Sequence, residues 1–214
     1  MTPSPASVPE TIRLPAAITA GGPPLWDLIR SRRSRRRYAP KPIPLDAIAQ
    51  LAWAAQGETG RARGEARRAA PSAGALYPLE TYIAIGLAEG IAPGLYRYDP
   101  ARHALTPRVE GDVRGAIVEA ALAQEMFLEA GVIFLWTAVL RRSSGKYGDR
   151  AVRYICLEAG HAAQNVALAA EALGLAACPA GAFRDGEIAR LVGADGIGES
   201  AVYLTAVGAP ARGR

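Results

Sequence analysis

A long and mostly apolar helix is the feature that most constrains how this chain can fold. The spacing of its residues predicts a helix over about residues 151–173, which ends at Gly174. Most of the segment is Ala, Val and Leu, so the helix is apolar around most of its circumference. Such a helix needs cover on most sides, either from the core of its own chain or from another subunit.

A central β-strand is predicted directly before this helix. Residues 132–140 form a continuous apolar run of strand length, typical of a strand covered on both faces. The run is about half as long as a membrane-spanning helix. Residues 1–24 are Pro-rich and lack both a basic start and a sustained apolar run, which argues against an export signal. We therefore expect a cytoplasmic protein with no membrane segment.

The rest of the chain alternates shorter helices and strands without a regular βαβ rhythm, which favours an α+β fold. Asp46 is expected to be the N-cap of one helix. Residues 57–70 are rich in Gly and Arg, so we expect them to form a loop, which is a candidate lid. A second loop is expected over residues 141–149. Helices are predicted over residues 25–30, 46–53, 112–129 and 187–192, and strands over residues 81–87, 94–100, 103–105 and 201–207. We divide the chain into a Pro-rich N-terminal arm, residues 1–24, and one domain, residues 25–214.

Composition excludes several classes of protein. Of the 214 residues, 50% are hydrophobic, enough to fill a core and too many for a disordered chain. Two cysteines and two histidines, without paired ligand spacing, argue against a disulfide framework and against a metal site.

The net charge of +5 suggests nucleic-acid binding as a rival function. Only Lys41 and Lys146 are lysines, however, and the other 23 basic residues are arginines, which indicates a composition bias rather than a binding surface. The sequence also shows no clear helix-turn-helix and no aromatic residues interleaved with basic ones. We therefore expect no nucleic-acid partner.

Four short segments carry candidate chemistry, although each also has an ordinary structural interpretation. The basic run over residues 32–36 offers guanidinium groups that bind phosphate. Its structural interpretation is a solvated loop. Two segments, 71–78 and 178–183, consist mostly of small residues, which let backbone N–H groups approach a flat ligand. Their structural interpretation is that of tight connections. Cys178 is interpreted as a small buried residue. Lys146 and Tyr147 have side chains that can transfer protons in catalysis. Their structural interpretation is that they belong to a surface loop.

The long helix also carries a polar stripe. Four side chains recur at spacings of four, three and four residues and so share one face: Tyr154, Glu158, His161 and Asn165. His161 by itself is best interpreted as a buried histidine with a hydrogen-bond partner.

Taken together and in this order, these motifs resemble the nitroreductase family of flavin mononucleotide (FMN) enzymes, and within it the SagB-type branch of azoline oxidases. The resemblance covers residues 25–210 and is carried by RRSRR (32–36), PSAGALYPLE (71–80), PGLYRY (93–98), KYGDR (146–150), LEAGHAAQN (157–165), ALGL (172–175) and GAF (181–183). It implies a mostly antiparallel central sheet flanked by helices, in an intertwined homodimer with two FMN sites at the interface.

The resemblance also implies roles for individual residues. Lys146 and Tyr147 match a pair implicated in catalytic proton transfer. The cofactor's phosphate and ribityl chain would be held by Arg32, Ser34 and Arg36, with Arg33 beside them and Arg212 joining the phosphate. The flavin ring would be approached from the other subunit by Pro71, Ser72, Ala73, Gly74 and Leu76. Its polar edge would meet Gln124, and its N5 atom would lie near backbone groups of Pro179, Ala180, Gly181 and Ala182.

The expected activity is FMN-dependent two-electron transfer through flavin N5. The small number of His and Cys residues is compatible with this activity, because the cofactor carries the chemistry. The absence of a GxGxxG fingerprint argues against a Rossmann-type site. One expectation is dehydrogenation of a small-molecule or peptide azoline (thiazoline or oxazoline), with O₂ as electron acceptor. The alternatives are an NAD(P)H-dependent reductase of nitroaromatics or quinones, and a flavin-binding protein without turnover.

Overall fold

The computed structural model describes residues 10–62 and 64–211, which form seven α-helices and twelve strands. The helices are α1 (Leu25–Ser31), α2 (Leu45–Gln56), α3 (Arg114–Ala120), α4 (Met126–Glu129), α5 (Arg141–Tyr147), α6 (Ala151–Ala172) and α7 (Asp185–Val192). The strands are β1 (Ile12–Arg13), β2 (Tyr38–Ala39), β3 (Ile43–Pro44), β4 (Glu58–Ala62), β5 (Glu65–Arg68), β6 (Leu79–Ile85), β7 (Ala88–Glu89), β8 (Gly94–Asp99), β9 (Ala104–Glu110), β10 (Val132–Val139), β11 (Ala176–Ala180) and β12 (Glu199–Pro210).

An antiparallel central sheet organises the molecule. Its strands follow the order β1-β9-β8-β6-β10-β12-β11, and β2 pairs with the end of β12. Every pair along this path is antiparallel. The predicted α+β fold with a mostly antiparallel sheet is therefore confirmed.

Strand β10 lies at the centre of this sheet, as its apolar run predicts. Alternate side chains point to opposite faces of a strand. Phe134 and Trp136 pack in the core that contains residues of α2 and α6. Ile133 and Leu135 pack in a second core with residues of α3, α4 and α7. Helices thus cover both faces of the sheet, which explains why the strand is apolar throughout.

The rest of the chain covers only one face of helix α6. Ile155, Ala159, Ala162 and Val166 recur at helical spacing and are almost fully buried. The opposite face is exposed and includes Leu157, which is 52% exposed. Among the residues described here, no helix is both long and apolar enough to cross a membrane.

The segment before α1 contacts the rest of the molecule at two places. β1 pairs with the edge of the sheet, where Ile12 faces Leu105 of β9. Further along, the backbone N–H of Ile18 donates to Gln50 Oε1 on α2, at 2.7 Å. The division of the chain at residue 24 stays a prediction, since these contacts describe packing and not independent folding.

Two predicted loops are regular elements in the structure, so both predictions are wrong. Residues 57–70 contain the β4–β5 hairpin, which turns at Gly64 with φ of +83°. Residues 141–149 contain α5, because Arg and Lys favour helix and the single Gly145 does not stop it. The helix ends at Gly148, whose φ of +53° and ψ of −134° few other residues adopt.

Three further corrections concern element boundaries. The predicted helix over 112–129 is two short helices, because Leu122 and Ala123 between them adopt left-handed conformations with φ of +56° and +60°. Asp46 is not the cap of α2: Pro44 occupies the cap position, and its fixed φ starts the helix at Leu45. The segment after Gly174, interpreted as a connection, forms β11 against β12.

Candidate functional site

The basic segment lies along the edge strand β11. Ser34 forms an isolated bridge with Ala177, and the backbone N–H of Arg35 donates to the Ala177 carbonyl at 3.1 Å. Further along the chain, the Tyr38 hydroxyl donates to the Ala206 carbonyl at 3.2 Å and ties the end of the segment to the sheet. The predicted phosphate-binding residues are therefore neighbours of β11, which contains Pro179 and Ala180 of the segment predicted to face N5.

The arginines of this segment divide into two kinds. Arg33 donates to the carbonyls of Arg30 and Arg32 at 2.7 and 2.8 Å, so its guanidinium group closes the end of α1. Within the described part of the chain, the side chains of Arg32 and Arg36 make no hydrogen bond or ion pair with protein. They are the two guanidinium groups free to meet a phosphate. Arg212 lies outside the described residues.

Cys178 is buried beneath this segment, as predicted for a small core residue. Burial raises the pKa of its thiol, while the nearby Arg36 charge and a hydrogen bond with Ser34 act in the opposite direction. A buried thiol with a raised pKa is a poor nucleophile. Cys178 therefore serves as packing beneath the basic segment.

Gln124 joins this first group of residues. Its side-chain amide donates to the Ala182 carbonyl at 2.7 Å and to the Ala121 carbonyl at 2.9 Å. The two residues before it, Leu122 and Ala123, are the left-handed pair, and each costs about 1 kcal/mol or more relative to a right-handed conformation. Strain at a point that positions one polar side chain is typical of functional sites.

A second group forms around the loop over residues 71–78. A Cβ atom added to Gly74 would lie 2.7 Å from Tyr147 Oη and 2.9 Å from Lys146 Nζ, so the loop touches both predicted catalytic side chains. Gly74, Ala75 and Tyr77 have φ of +64°, +54° and +46°. The loop is thus strained where it meets Lys146 and Tyr147, and Gly74 permits the close approach.

The two predicted catalytic side chains, Lys146 and Tyr147, lie next to each other. Lys146 is exposed at the end of α5, and its Nζ atom lies 5.5 Å from the centre of the Tyr147 ring. The Tyr147 ring packs edge-on against Tyr154 of α6, with centroids 4.7 Å apart. His161, two turns further along α6, is exposed in this chain, so the prediction of a buried histidine is wrong.

Glu158 is a further candidate residue, which the sequence predicted only as a member of the polar stripe. It is 2% exposed and lies close to Ser72 of the loop. Burial raises its pKa to about 7, and this rise is opposed by Ser72, by the charge of Arg68 and by Gln56. Its Oε1 atom has no hydrogen-bond partner in the described part of the structure. The sequence feature that points to Glu158 is its position as an acidic residue in an Ala-rich stretch, one turn after Tyr154.

The two groups contact α6 at different ends. The basic segment reaches Glu171, 4.0 Å from the Arg35 guanidinium, and the loop reaches Glu158. These two positions are about 20 Å apart along an α-helix. Among the described residues, no hydrogen bond or ion pair joins the basic segment to the loop. One chain therefore holds two separate half-sites.

Comparison with known proteins identifies relatives over most of the chain. The model of the nitroreductase family matches residues 29–209. A protein of Methanocaldococcus jannaschii, provisionally named nitroreductase MJ1384, is 38% identical over 168 residues, which are 78% of this chain and 83% of the relative. The trifolitoxin-processing protein TfxB of Rhizobium leguminosarum is 33% identical over 146 residues, which are 64% of this chain and 39% of that protein.

Solved structures show the same fold. A Ralstonia eutropha structure provisionally titled as a nitroreductase has a TM-score of 0.83 and 25% identity, and the alignment covers 99% of this chain and 94% of that one. A Desulfovibrio desulfuricans structure of this kind, in complex with FMN, has a TM-score of 0.63 and 22% identity, covering 90% and 89%. An Escherichia coli microcin synthetase complex, with a truncated precursor bound, contains a chain with a TM-score of 0.71 and 19% identity, covering 93% and 76%.

Proposed function

The chain belongs to the nitroreductase family of oxidoreductases, and from its half-sites we propose that it is an FMN-dependent enzyme acting as a homodimer. The observation that carries the proposal is the attachment of the basic segment to β11 through Ser34 and Arg35, beside two unpaired arginines. The FMN-bound Desulfovibrio structure with the same fold supports the choice of cofactor.

The residues present fit FMN chemically. The phosphate carries two negative charges, and Arg32 and Arg36 offer guanidinium groups that suit it. The exposed Gly181 and Ala182 beyond β11 leave backbone groups accessible to a flat ring. Gln124, held by the Ala182 carbonyl, lies at the same end of the strand. When bound, FMN supplies a site for hydride and a store for two electrons.

A second copy of the chain completes the site. An antiparallel pairing of two α6 helices about a two-fold axis places the start of one helix near the end of the other. The loop and Lys146 of one protomer then approach the basic segment of its partner. The exposed apolar residues of α1 and α6 fit this interface, since Trp26, Val152 and Leu157 are 77%, 57% and 52% exposed.

Lys146 supplies the proton chemistry of this proposal. In azoline oxidation, bound FMN would supply the hydride acceptor, and the other ring hydrogen leaves as a proton. Lys146 Nζ accepts that proton, and Tyr147 orients the amine through the contact between their side chains. O₂ would accept the two electrons together with two protons, one carried by the hydride and one released from Lys146, and become hydrogen peroxide. The similarity to the trifolitoxin-processing protein supports this branch of the family.

Reduction of nitroaromatics or quinones by NAD(P)H is the second candidate activity. It is supported by the M. jannaschii relative, whose name refers to nitroreductase and which covers more of the chain. Flavin binding without turnover is the third alternative, and the contact of Lys146 and Tyr147 with the loop argues against it.

The cofactor site is tested by the flavin content of two arginine variants. Arg36→Gln removes one free guanidinium group, and we expect at least a tenfold loss of FMN affinity, because a charge-assisted contact contributes about 1.5–3 kcal/mol. Arg13→Gln, an exposed arginine on β1, is the matched control and should keep wild-type affinity. Equal FMN affinity in both variants would contradict the assignment.

A further inference from the structure

A cleft of about 490 Å³ opens beside Leu76 and Tyr77 of the loop. Four arginines and two acidic residues line it: Arg68, Arg97, Arg102, Arg142, Glu80 and Asp99. The cleft therefore carries an excess of two positive charges. None of these six charged residues belongs to the proposed cofactor site.

Glu80 holds two of these arginines in place. Its carboxylate is 8% exposed and accepts hydrogen bonds from Arg97 Nε and Nη2 at 2.9 and 2.7 Å, and from Arg142 Nη2 at 2.6 Å. Arg142 also donates from Nη1 to the Tyr77 carbonyl at 3.2 Å. Because both guanidinium groups are already ordered, a ligand that binds them loses little further side-chain entropy.

Unused donors remain on three of the arginines. In the described part of the chain, Arg97 Nη1 and Arg142 Nε have no hydrogen-bond acceptor. Arg102 is 77% exposed and makes one long ion pair with Asp99, at 3.7 Å. Guanidinium groups with free N–H edges are the preferred partners of carboxylates. A singly charged carboxylate also suits the cleft better than a dianion, because Glu80 and Asp99 repel added negative charge.

The cleft is close to the proposed reaction centre. Arg142 and Lys146 are one turn apart on α5 and so lie on the same face, about 6 Å from each other along the axis. Leu76 of the cleft belongs to the loop whose Gly74 touches Lys146. A small molecule anchored here by one end can present its other end near Lys146.

We propose that this cleft binds the carboxylate of a small organic substrate and so selects anionic substrates for the enzyme. The inference rests on the proposed function for its catalytic meaning, but binding itself can be measured without turnover. The probes are 4-nitrobenzoate and 4-nitrobenzamide, which have similar shapes and differ in charge. Affinities are measured by calorimetry on the purified protein, with flavin content determined on the same samples.

Wild-type protein should bind the benzoate at least tenfold more tightly than the benzamide. Arg97→Gln should reduce that preference to about twofold or less, since it removes a charged donor. Arg102→Gln should reduce it as well, and this exposed residue can be replaced without disturbing the core. Arg190→Gln is the matched control, because this exposed arginine on α7 does not line the cleft.

Equal affinity for the two probes in the wild type would overturn the proposal, and so would an unchanged preference in both cleft variants. Absence of flavin in the samples would instead count against the proposed function. A charge preference that depends on Arg97 and Arg102 would still establish the carboxylate site in that case.

Discussion

Lys146 is the residue whose replacement should affect turnover most specifically. Lys146→Met keeps a side chain of similar length but removes the proton acceptor, so we expect kcat to fall by about 10²–10⁴ while flavin content is unchanged. The measurement is steady-state turnover with bound flavin quantified by absorbance. Lys41→Met replaces the other lysine, which is also exposed, and should behave as wild type. Full turnover in Lys146→Met would exclude the proposed role.

Glu158 should make stability depend on pH. Its folded-state pKa of about 7 exceeds the ordinary value of 4.5, so the folded protein keeps a proton that the unfolded chain releases. The contribution of Glu158 to the free energy of unfolding is fully present below about pH 4.5 and decreases as the pH rises. By pH 8 the free energy of unfolding is lower by at most about 3 kcal/mol.

Glu158→Gln should remove this loss, so that urea unfolding gives a flatter profile from pH 5 to pH 8 and a variant more stable than wild type at pH 8. Glu171→Gln, at the other end of α6, leaves Glu158 in place and should retain the wild-type slope. Parallel profiles for wild type and Glu158→Gln would show that this carboxyl does not titrate differently on folding.

Sequence patterns grouped the candidate site residues better than they predicted the contacts of each side chain. The contacts of Gly74 with Lys146, of Ser34 with Ala177 and of Gln124 with Ala182 join segments that the motifs had grouped. The role of Arg33 in closing α1 was not predictable, because composition does not show where a flexible side chain folds back. Glu158 was found as part of a stripe, but its burial depends on packing against distant segments.

At the scale of elements, the α5–α6 turn should depend on one glycine. Gly148→Ala places a Cβ in a conformation that L residues rarely adopt, and we expect a loss of about 1–3 kcal/mol in the free energy of unfolding. Gly145→Ala, three residues earlier inside α5, should instead stabilise the protein by up to about 1 kcal/mol.

An added Cβ has open space at both positions, so the two variants differ only in backbone conformation. Chemical denaturation of both variants tests this prediction. Equal effects of the two substitutions would show that the conformation of Gly148 does not limit the turn.

The long apolar elements were predictable, and the short polar ones were not. Strand β10 and helix α6 match their predicted ranges within one residue, since a sustained apolar period has few alternatives. The β4–β5 hairpin and α5 contain mostly Arg, Gly and Ser, and their apolar pattern is too weak to distinguish them from loops. The hairpin is stabilised by tertiary contacts such as that of Arg68, whose guanidinium lies 4.4 Å from the centre of the Tyr77 ring. Helix α5 forms because its Arg and Lys residues favour helix.

At the scale of the whole molecule, the two half-sites predict complementation between inactive variants. If each site combines the basic segment of one protomer with Lys146 of the other, a heterodimer of Arg36→Gln and Lys146→Met contains one intact site. Random pairing of equal amounts makes half of the dimers mixed, so activity should recover to about a quarter of the wild-type value.

Co-expression of the two variants with different purification tags allows mixed dimers to be isolated and assayed. Each variant dimer assayed by itself is the control and should stay nearly inactive. No recovery in the mixed dimer would place both parts of the site in the same chain.

Each chain should carry one FMN, and this is tested by an absorbance spectrum of the purified protein followed by mass analysis of the released chromophore. The half-sites on each protomer predict flavin bands, the mass of FMN and one cofactor per chain. A colourless protein that also fails to take up added FMN would contradict the account, and the basic segment would then be a solvated surface loop.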